Sequence, residues 1–259
     1  MEAAARVAGV SKKAGDLIVR LMTENREIRE KLPGDLVTDA DRSAEDLVIA
    51  EIRKHSTGAI LTEEAGLVPG SGDERWIVDP LDGTTNYSHG YPFFCVSVAL
   101  EKSGETVAGA VYAPLLGELF VAEKGAGATL NGVRVSVSKI ASLARSLLCT
   151  GFSPRTCDLN APFFRAIYPR TQGVRHDGSA ALNLAYVAAG RFDAYWEFNL
   201  KIWDYAAGVL LVREAGGVVS AALERTLPGV EHSILASNPA IHEELSQHLQ
   251  AVDQSSAVI

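Results

Sequence analysis

The residues best suited to chemistry lie in one short segment, where Asp79 and Asp82 are followed by Thr84. An apolar run ends at the first aspartate, Pro80 bends the chain, and Gly83 gives the backbone freedom before the hydroxyl. Mg²⁺ takes oxygen ligands from carboxylates and commonly completes its coordination with water and substrate phosphate. The segment is therefore predicted to bind a divalent cation and a phosphate together.

Backbone groups of the same segment extend the predicted site. The Leu81 carbonyl offers a neutral oxygen ligand, and the amides of Gly83 and Thr84 stand at the start of a short predicted helix, where amides can bind phosphate oxygens. Asp79 lies between other acids and is placed to bridge two cations. Two cations about 4 Å apart lower the pKa of a water and stabilise a leaving oxygen. We therefore predict a multi-metal site centred on Asp79.

Further acidic residues stand at the ends of predicted elements: Asp39 and Asp41 before a helix, Glu63 and Glu64 after a strand, and Asp204 at the start of another helix. Each has a simpler interpretation, because a lone aspartate often caps a helix and a pair of glutamates is usually solvated. Ligand sites in α/β folds nevertheless lie at strand ends and helix starts. The histidines and cysteines show no metal-ligand spacing, which argues against zinc or iron.

The elements that must position these acids follow from hydrophobic periodicity. Apolar residues at helical spacing predict helices near 3–29, 43–54, 158–168, 179–190, 203–215 and 240–250. Short runs rich in Val, Ile, Phe and Tyr, separated by turn residues, predict strands near 59–62, 75–79, 93–101, 106–113, 118–122, 133–137, 146–150, 172–175, 193–198, 217–221 and 233–237. Asn131-Gly132 predicts a hairpin turn.

This pattern divides the chain into an α+β subdomain over residues 1–145 and an α/β subdomain over residues 146–259. No linker-like stretch separates them, so we expect two subdomains that pack tightly as one unit. The first contains most of the predicted metal ligands, and the second contains Asp204 and the substrate contacts.

Composition limits the classes of protein and partner. The net charge of −8 argues against a general nucleic-acid surface, although bound cations would still admit a phosphate substrate. No apolar run approaches the roughly 18 residues of a membrane span, and the N-terminal residues lack the apolar core of a signal peptide. Cys95, Cys149 and Cys157 are predicted to be buried, reduced thiols. We expect a cytoplasmic protein with no membrane partner and no direct nucleic-acid binding.

Several segments together resemble the inositol monophosphatase family. The run from Asp79 to Tyr87, Asp-Pro-Leu-Asp-Gly-Thr-Thr-Asn-Tyr, resembles its metal-binding signature, and the run from Trp203 to Gly217 resembles its second signature. The other matching segments keep the family's order along the chain: Asp35 to Asp41, Thr62-Glu63-Glu64, Gly178 to Leu182 and Asp193 to Glu197.

The resemblance implies a layered αβαβα sandwich of the sugar phosphatase type, a homodimer, two or three Mg²⁺ ions per site and inhibition by lithium. It implies catalytic roles for Glu63, Thr84 and Asp41, with the last two orienting the attacking water. The implied metal ligands are Glu63, Asp79, Leu81 through its carbonyl, Asp82 and Asp204. The implied substrate-binding residues are Asp82, Gly83, Thr84, Gly178, Ser179, Ala180, Glu197 and Asp204.

The expected reaction is hydrolysis of a polyol or sugar phosphate, with inositol 1-phosphate as the leading substrate. Histidinol phosphate, fructose 1,6-bisphosphate and a 3′-phosphoadenosine nucleotide are alternatives, although Glu197 and the run from Thr84 to Tyr87 favour the inositol branch over the nucleotide branch. The short segment from Ser220 to Ser233 departs from the family pattern near the substrate. A hypothesis of another class is a regulatory binding protein, acting in a transcription complex, with phosphatase activity as a second role.

Overall fold

The computed structural model describes residues 2–22, 28–32, 35–152, 157–224 and 232–256. In these ranges the helices are α1 (Glu2–Leu21), α2 (Asp39–Arg53), α3 (Thr84–Ser88), α4 (Cys157–Ile167), α5 (Ala180–Ala188), α6 (Ile202–Glu214) and α7 (Pro239–Ser256). The strands are β1 (Ile28–Leu32), β2 (Asp35–Thr38), β3 (Ala59–Thr62), β4 (Gly66–Val68), β5 (Glu74–Asp82), β6 (Cys95–Lys102), β7 (Glu105–Ala113), β8 (Glu118–Glu123), β9 (Gly127–Leu130), β10 (Val133–Val135), β11 (Leu147–Thr150), β12 (Gly173–Arg175), β13 (Ala194–Phe198), β14 (Val218–Ser220) and β15 (Ser233–Ser237).

The larger sheet has eight strands in the order β10-β9-β8-β7-β6-β5-β3-β4. Successive side chains of a strand point to opposite faces of its sheet, and β5 has buried side chains on both faces. Trp76 and Val78 pack in a buried cluster with Ile18 of α1, on the side that α1 and α2 cover. Ile77 belongs to the cluster on the opposite side, with Leu211 of α6. The sheet is therefore buried between two helical layers.

The smaller sheet has five strands in the order β12-β11-β13-β15-β14. Tyr195 on β13 packs in the same cluster as α5 and α6, whereas the adjacent Trp196 packs with Phe163 of α4 and Leu245 of α7. The layers thus run α1/α2, large sheet, α5/α6, small sheet, α4/α7. This mixed, layered arrangement confirms the predicted αβαβα sandwich.

The helices of the middle layer join the two halves of the chain. Ala207 of α6 lies against Gly109 of β7 so closely that an added Cβ at the glycine would stand 3.0 Å from the Ala207 Cα. Residues after 145 therefore complete the core of the sheet formed by residues before it. The division into subdomains at that point stays a proposal. No helix in the described ranges is both long enough and apolar enough to cross a membrane.

Two predictions near the N-terminus are wrong. The helix expected over 3–29 ends at Leu21, and Ile28–Leu32 instead pairs antiparallel with β2; residues 23–27 lie outside the described ranges. The next helix begins at Asp39, so Asp39 and Asp41 lie in its first turn and do not precede it. Acidic residues are favourable there because the helix N-terminus carries partial positive charge. Part of the short segment noted above, residues 225–231, also lies outside the described ranges.

Candidate active site

Two parallel strands bring the first predicted ligands to one edge of the large sheet. β3 pairs in parallel with β5, and Thr62 stands opposite Val78. The next residue on each strand is Glu63 and Asp79, so the two carboxylates follow neighbouring strand ends. Burial raises the pKa of Asp79, and the negative charge of Glu63 raises it further. The expected juxtaposition of these two acids is present.

The proline after Asp79 forms an irregularity inside β5 and does not end the strand. The pairing of β5 with β6 shifts register between Asp79 and Asp82, which is the geometry of a β-bulge. Within it, the Leu81 amide donates a hydrogen bond to Asp79 Oδ1 over 3.0 Å. The predicted strand end near residue 79 is therefore wrong by three residues, because the bulge lets both aspartates stay in the strand.

Asp82 receives its hydrogen bonds from the start of α5. Its Oδ2 accepts from Ser179 Oγ at 2.6 Å and from the Ala181 amide at 2.8 Å, while its Oδ1 accepts from the Ala180 amide at 3.3 Å. Amides at a helix start are otherwise without intrahelical acceptors. The predicted substrate-side residues Ser179 and Ala180 thus contact a predicted metal ligand. Burial raises the pKa of Asp82 in spite of these donors.

Asp204 is the third residue of α6 and does not open it. Its Oδ2 accepts a hydrogen bond from the Lys201 amide at 2.7 Å, which is one half of a capping box. Burial raises the pKa of Asp204 well above its ordinary value, and the neighbouring Asp82 and Glu63 raise it further. α6 therefore places Asp204, which is far from Glu63 and Asp82 along the chain, close to both carboxylates.

Thr84 joins α3 to α2 through its hydroxyl. Thr84 Oγ1 lies 3.0 Å from Asp41 Oδ1 and 3.1 Å from the Leu81 carbonyl oxygen, and it can donate its one proton to either. Asp41 is buried, and an ionised carboxylate is the stronger acceptor. When the proton points to Asp41, the lone pairs of Thr84 can accept a hydrogen bond from a water. The predicted Asp41–Thr84 pair is present.

Gly83 stands between the bulge and α3 with φ of 96°. This left-handed conformation favours glycine. A Cβ there would also meet the Phe93 carbonyl oxygen at 3.1 Å and the Gly178 carbonyl oxygen at 3.2 Å. Gly178 itself lies beside Asn86, whose Nδ2 donates to the Asp177 carbonyl at 2.6 Å and to the Phe93 carbonyl at 2.7 Å. Asn86 therefore links the segment before α5 to the loop between α3 and β6.

Glu197 is supplied to the site by β13. The Tyr195 hydroxyl donates a hydrogen bond to its Oε2. Burial raises the pKa of Glu197 to about 7. Its carboxylate lies directly over Gly151, where a Cβ would come within 1.9 Å of it. The glycine is therefore required by the position of Glu197.

Most of these residues line one cavity of about 470 Å³, although Asp41 and Tyr195 are not part of its lining. Among the described residues that form its wall, none is Lys or Arg, whereas Glu63, Asp79, Asp82, Glu197 and Asp204 all contribute carboxyl groups. Burial and the neighbouring carboxylates raise the pKa of Asp79 well above its ordinary value. The cavity therefore concentrates negative charge away from water, a costly arrangement unless a cation neutralises it.

The cavity has oxygen ligands of the kind that hard cations prefer, but its side chains do not complete a coordination shell by themselves. Within the described ranges, no three His, Cys, Asp or Glu side chains are arranged to hold one metal ion by themselves. Mg²⁺ typically uses one or two carboxylates and completes its octahedron with water and substrate oxygens. The oxygen-rich cavity therefore fits Mg²⁺, and the predicted ligand assignments stay predictions.

Sequence reasoning missed Gly151 and Asn183 in the cavity wall, and Tyr195 beside Glu197. Gly151 and Tyr195 act through Glu197, and only the pairing of β11 with β13 reveals the first of them. Asn183 follows Ser179 by four residues on α5, so helical periodicity from the predicted substrate-side segment could have found it. The cavity wall also includes His176, whose ring meets Phe152 edge-to-face at 5.4 Å between centroids.

Comparisons with known proteins agree with this geometry. A family model described as "Inositol monophosphatase family" matches residues 2–254. A relative in Synechocystis sp., "Inositol-1-monophosphatase", is 47% identical over 248 residues, covering 93% of this chain and 86% of that protein. "Nus factor SuhB" of Pseudomonas aeruginosa is 47% identical over 221 residues, covering 81% and 82%. The solved structure of "extragenic suppressor protein suhB" from Bartonella henselae superposes with a TM-score of 0.88 at 40% identity, covering 95% of this chain and 97% of that one.

Proposed function

The chain belongs to the inositol monophosphatase family and is a phosphatase of phosphate monoesters, and we propose that it hydrolyses inositol 1-phosphate to myo-inositol and phosphate with Mg²⁺. The substrate assignment is supported by the name of the Synechocystis relative and by the polar wall that Glu197 contributes. Other polyol and sugar phosphates, including histidinol phosphate and fructose 1,6-bisphosphate, are the alternatives on the same scaffold.

The observation that supports a metal-dependent reaction is the charge of the cavity. A phosphate monoester is an anion, and it would enter a wall of carboxyl groups without any Lys or Arg among the described lining residues. Repulsion between like charges in a buried site is large because water screens it poorly. Divalent cations between the carboxylates and the phosphate remove that repulsion. In this proposal, cations allow the cavity to bind this class of substrate.

We propose that Glu63, Asp79, the Leu81 carbonyl, Asp82 and Asp204 hold two or three Mg²⁺ ions. When bound there, Mg²⁺ supplies positive charge to the phosphoryl group and makes a water a better nucleophile. The protein keeps the carboxylates in place by backbone donors: the Leu81 amide for Asp79, the start of α5 for Asp82, and the Lys201 amide for Asp204. These donors restrain each carboxylate at one oxygen or more before a cation arrives.

Thr84 and Asp41 orient the attacking water in this proposal. Asp41 draws the Thr84 proton toward itself over the 3.0 Å hydrogen bond, so the threonine oxygen presents its lone pairs to the water. A water that donates to Thr84 keeps a lone pair for attack on phosphorus. The amides of Gly83 and Thr84 are proposed to bind the phosphate oxygens. Glu63 is proposed to act on the same water as a catalytic carboxylate.

The alcohol part of the substrate is proposed to lie between the start of α5 and β13. Gly178, Ser179 and Ala180 form one side, and Glu197 forms the other. Because Tyr195 donates to one oxygen of Glu197, the second oxygen can accept a hydrogen bond from a substrate hydroxyl. Hydroxyl recognition of this kind distinguishes polyol esters from simple alkyl phosphates.

Phosphate release across a panel of esters at one Mg²⁺ concentration tests the proposal. The panel contains inositol 1-phosphate, histidinol phosphate, fructose 1,6-bisphosphate and 3′-phosphoadenosine 5′-phosphate, each with and without Li⁺. We expect inositol 1-phosphate to have the highest kcat/KM and Li⁺ to inhibit. A preference for another ester of about tenfold or more, a difference of about 1.4 kcal/mol, would displace the substrate assignment while leaving the phosphatase in place.

A regulatory role is the second candidate, because several similar proteins have the name "Nus factor SuhB" and others are named "Inositol-1-monophosphatase". Co-purification of partners with the wild-type chain and with the Asp79→Asn variant separates the two roles. Partners retained by a variant without turnover would support a role independent of catalysis. The homodimer, the cytoplasmic location, lithium sensitivity and the lack of direct nucleic-acid binding also stay predictions.

A further inference from the structure

Asn183 is the one buried cavity residue whose polar groups the described structure leaves unused. Its side chain is 1% exposed and lines the cavity. Neither its Nδ2 nor its Oδ1 has a hydrogen-bond partner within the described part of the chain. Buried polar atoms are nearly always paired, because an unmade hydrogen bond costs about 1–3 kcal/mol. An amide left unpaired at a cavity wall therefore points to a bound group.

Another buried asparagine shows what a structural role looks like. Asn238 is also 1% exposed, but its Nδ2 donates to Ser138 Oγ at 2.8 Å and its Oδ1 accepts from the Ala240 amide at 2.9 Å. It lies outside the cavity wall and caps α7. Its hydrogen bonds are satisfied by the protein, whereas those of Asn183 are not. The fold therefore does not require the Asn183 amide for its own hydrogen bonding.

The chemistry of the amide limits what can bind it. Asn183 offers a donor and an acceptor side by side. A metal ion would satisfy only its oxygen, and a phosphate dianion would satisfy only its nitrogen. Hydroxyl groups satisfy both, since each can donate and accept. Two adjacent hydroxyls of a ring match the amide best, with one accepting from Nδ2 and the other donating to Oδ1.

The position of Asn183 agrees with such a ligand. It lies one helical turn after Ser179, and its backbone N–H donates to the Ser179 carbonyl at 3.0 Å. Residues four apart share a helix face. That face includes the side of the cavity proposed for the alcohol, and Glu197 lines the same cavity.

We propose that Asn183 is a specificity-determining residue that binds adjacent hydroxyl groups of the substrate's alcohol part through its side-chain amide. This inference rests on the proposed hydrolysis of a polyol phosphate. Asn183 does not act on the phosphoryl group, so its contribution is to discrimination between alcohols.

The test compares two esters that differ only in ring hydroxyls, inositol 1-phosphate and cyclohexyl phosphate, with wild type, Asn183→Leu and Asn183→Asp. We expect Asn183→Leu to lower kcat/KM for the inositol ester about tenfold or more beyond any change for the cyclohexyl ester. Asn183→Asp keeps the shape and the acceptor but loses the donor, and it should shift the ratio in the same direction. It also keeps the test available if the leucine variant fails to fold. Asn238→Asp is the matched control, expected to change thermal stability without changing the ratio.

An equal loss for both esters would overturn the proposal, since a water or a packing role would affect them alike. An unchanged ratio in both Asn183 variants would do the same. Direct binding of myo-inositol, measured by calorimetry in the presence of Mg²⁺ and phosphate, separates this inference from the proposed function. Weaker binding to Asn183→Leu than to wild type would support the inference even if wild type prefers another ester. Equal binding to both would contradict it.

Discussion

The same strand holds a half-buried acid, Glu74, and a buried acid, Asp79, in opposite electrostatic environments. Glu74, at the start of β5, receives paired hydrogen bonds of 2.9 Å from the Arg6 guanidinium and one of 2.7 Å from Ser56. These donors, the Arg6 guanidinium first, lower the pKa of Glu74 to about 2. Asp79, at the other end of β5, is surrounded by carboxylates, and burial raises its pKa well above the ordinary value. Glu74 is therefore stabilised as an anion, whereas Asp79, only five residues further along the strand, is not.

The opposite pKa shifts distinguish an acid that stabilises the fold, Glu74, from acids that are proposed to bind cations. Arg6 belongs to α1, so its ion pair with Glu74 fastens that helix to the large sheet. Asp79, Asp82 and Asp204 accept hydrogen bonds from backbone amides, and none of the described residues that line the cavity is Lys or Arg. Buried acids with raised pKa values are often found at functional sites, where they are retained at a cost in stability.

Asp79→Asn gives the largest expected effect. We expect kcat/KM to fall by about 10³-fold or more, because a central carboxylate between two proposed cation sites becomes neutral. The Glu74→Gln variant is the matched control on the same strand, and its kcat/KM should stay within about twofold of wild type, a difference of less than 0.5 kcal/mol. Activity of Asp79→Asn near the wild-type level would remove the carboxylate cluster from the mechanism.

Gly151→Ala is expected to have the next largest effect. A Cβ at this position would lie 1.9 Å from the Glu197 carboxylate, so the carboxylate must move from its place beside Tyr195. Losing one hydrogen bond to a charged group corresponds to about 1.5–3 kcal/mol, or roughly tenfold to a hundredfold in affinity. Steady-state kinetics should show the loss as a raised KM for inositol 1-phosphate, with a smaller change for cyclohexyl phosphate. Equal changes for the two esters would place Glu197 outside alcohol recognition.

The sequence predicts the members of the site better than it predicts their contacts. Strand-end periodicity places Glu63 and Asp79 next to each other, and Asn131-Gly132 forms the expected turn between β9 and β10. Such features are local, since they depend on spacing along one or two neighbouring elements. The segments from Asp35 to Asp41 and from Asp79 to Tyr87 together identify the Asp41–Thr84 pair through resemblance.

The remaining features depend on which elements meet in space. Periodicity specifies the buried face of α5, but not that its first amides bind Asp82 across 98 and 99 residues. The bulge after Asp79 depends on pairing with β6, and the contact between Gly151 and Glu197 depends on pairing of β11 with β13. The same limit explains the N-terminal error, because pairing with β2 overrides the helical pattern near Ile28.

Glu74→Gln tests the structural side of the comparison. We expect the free energy of unfolding at pH 7 to fall by about 1–2 kcal/mol, as charge-assisted hydrogen bonds to Arg6 are weakened at a partly exposed site. The folded-state pKa of about 2 lies below the ordinary value of 4.5. The contribution of Glu74 is therefore present above pH 4.5 and is lost as the pH falls toward 2. Denaturant titrations of both proteins should converge over that range. A constant difference down to pH 2 would show that the charge of Glu74 does not stabilise the fold.

The cavity acids should show the opposite dependence on pH, and this effect is the smallest expected. Asp79 and Asp204 have folded-state pKa values above their ordinary value of 3.8, so between the two values the folded protein binds more protons than the unfolded one. Stability then falls as pH rises through that interval. With divalent cations chelated, the unfolding free energy should therefore decrease as the pH rises above the ordinary aspartate pKa of 3.8, and Asp79→Asn should flatten the decrease. Saturating Mg²⁺ should also flatten it in the wild-type protein, because cations replace protons in the cluster. A chelated wild-type protein with no such slope would mean that the cluster is compensated in the folded state and that the contrast with Glu74 is wrong.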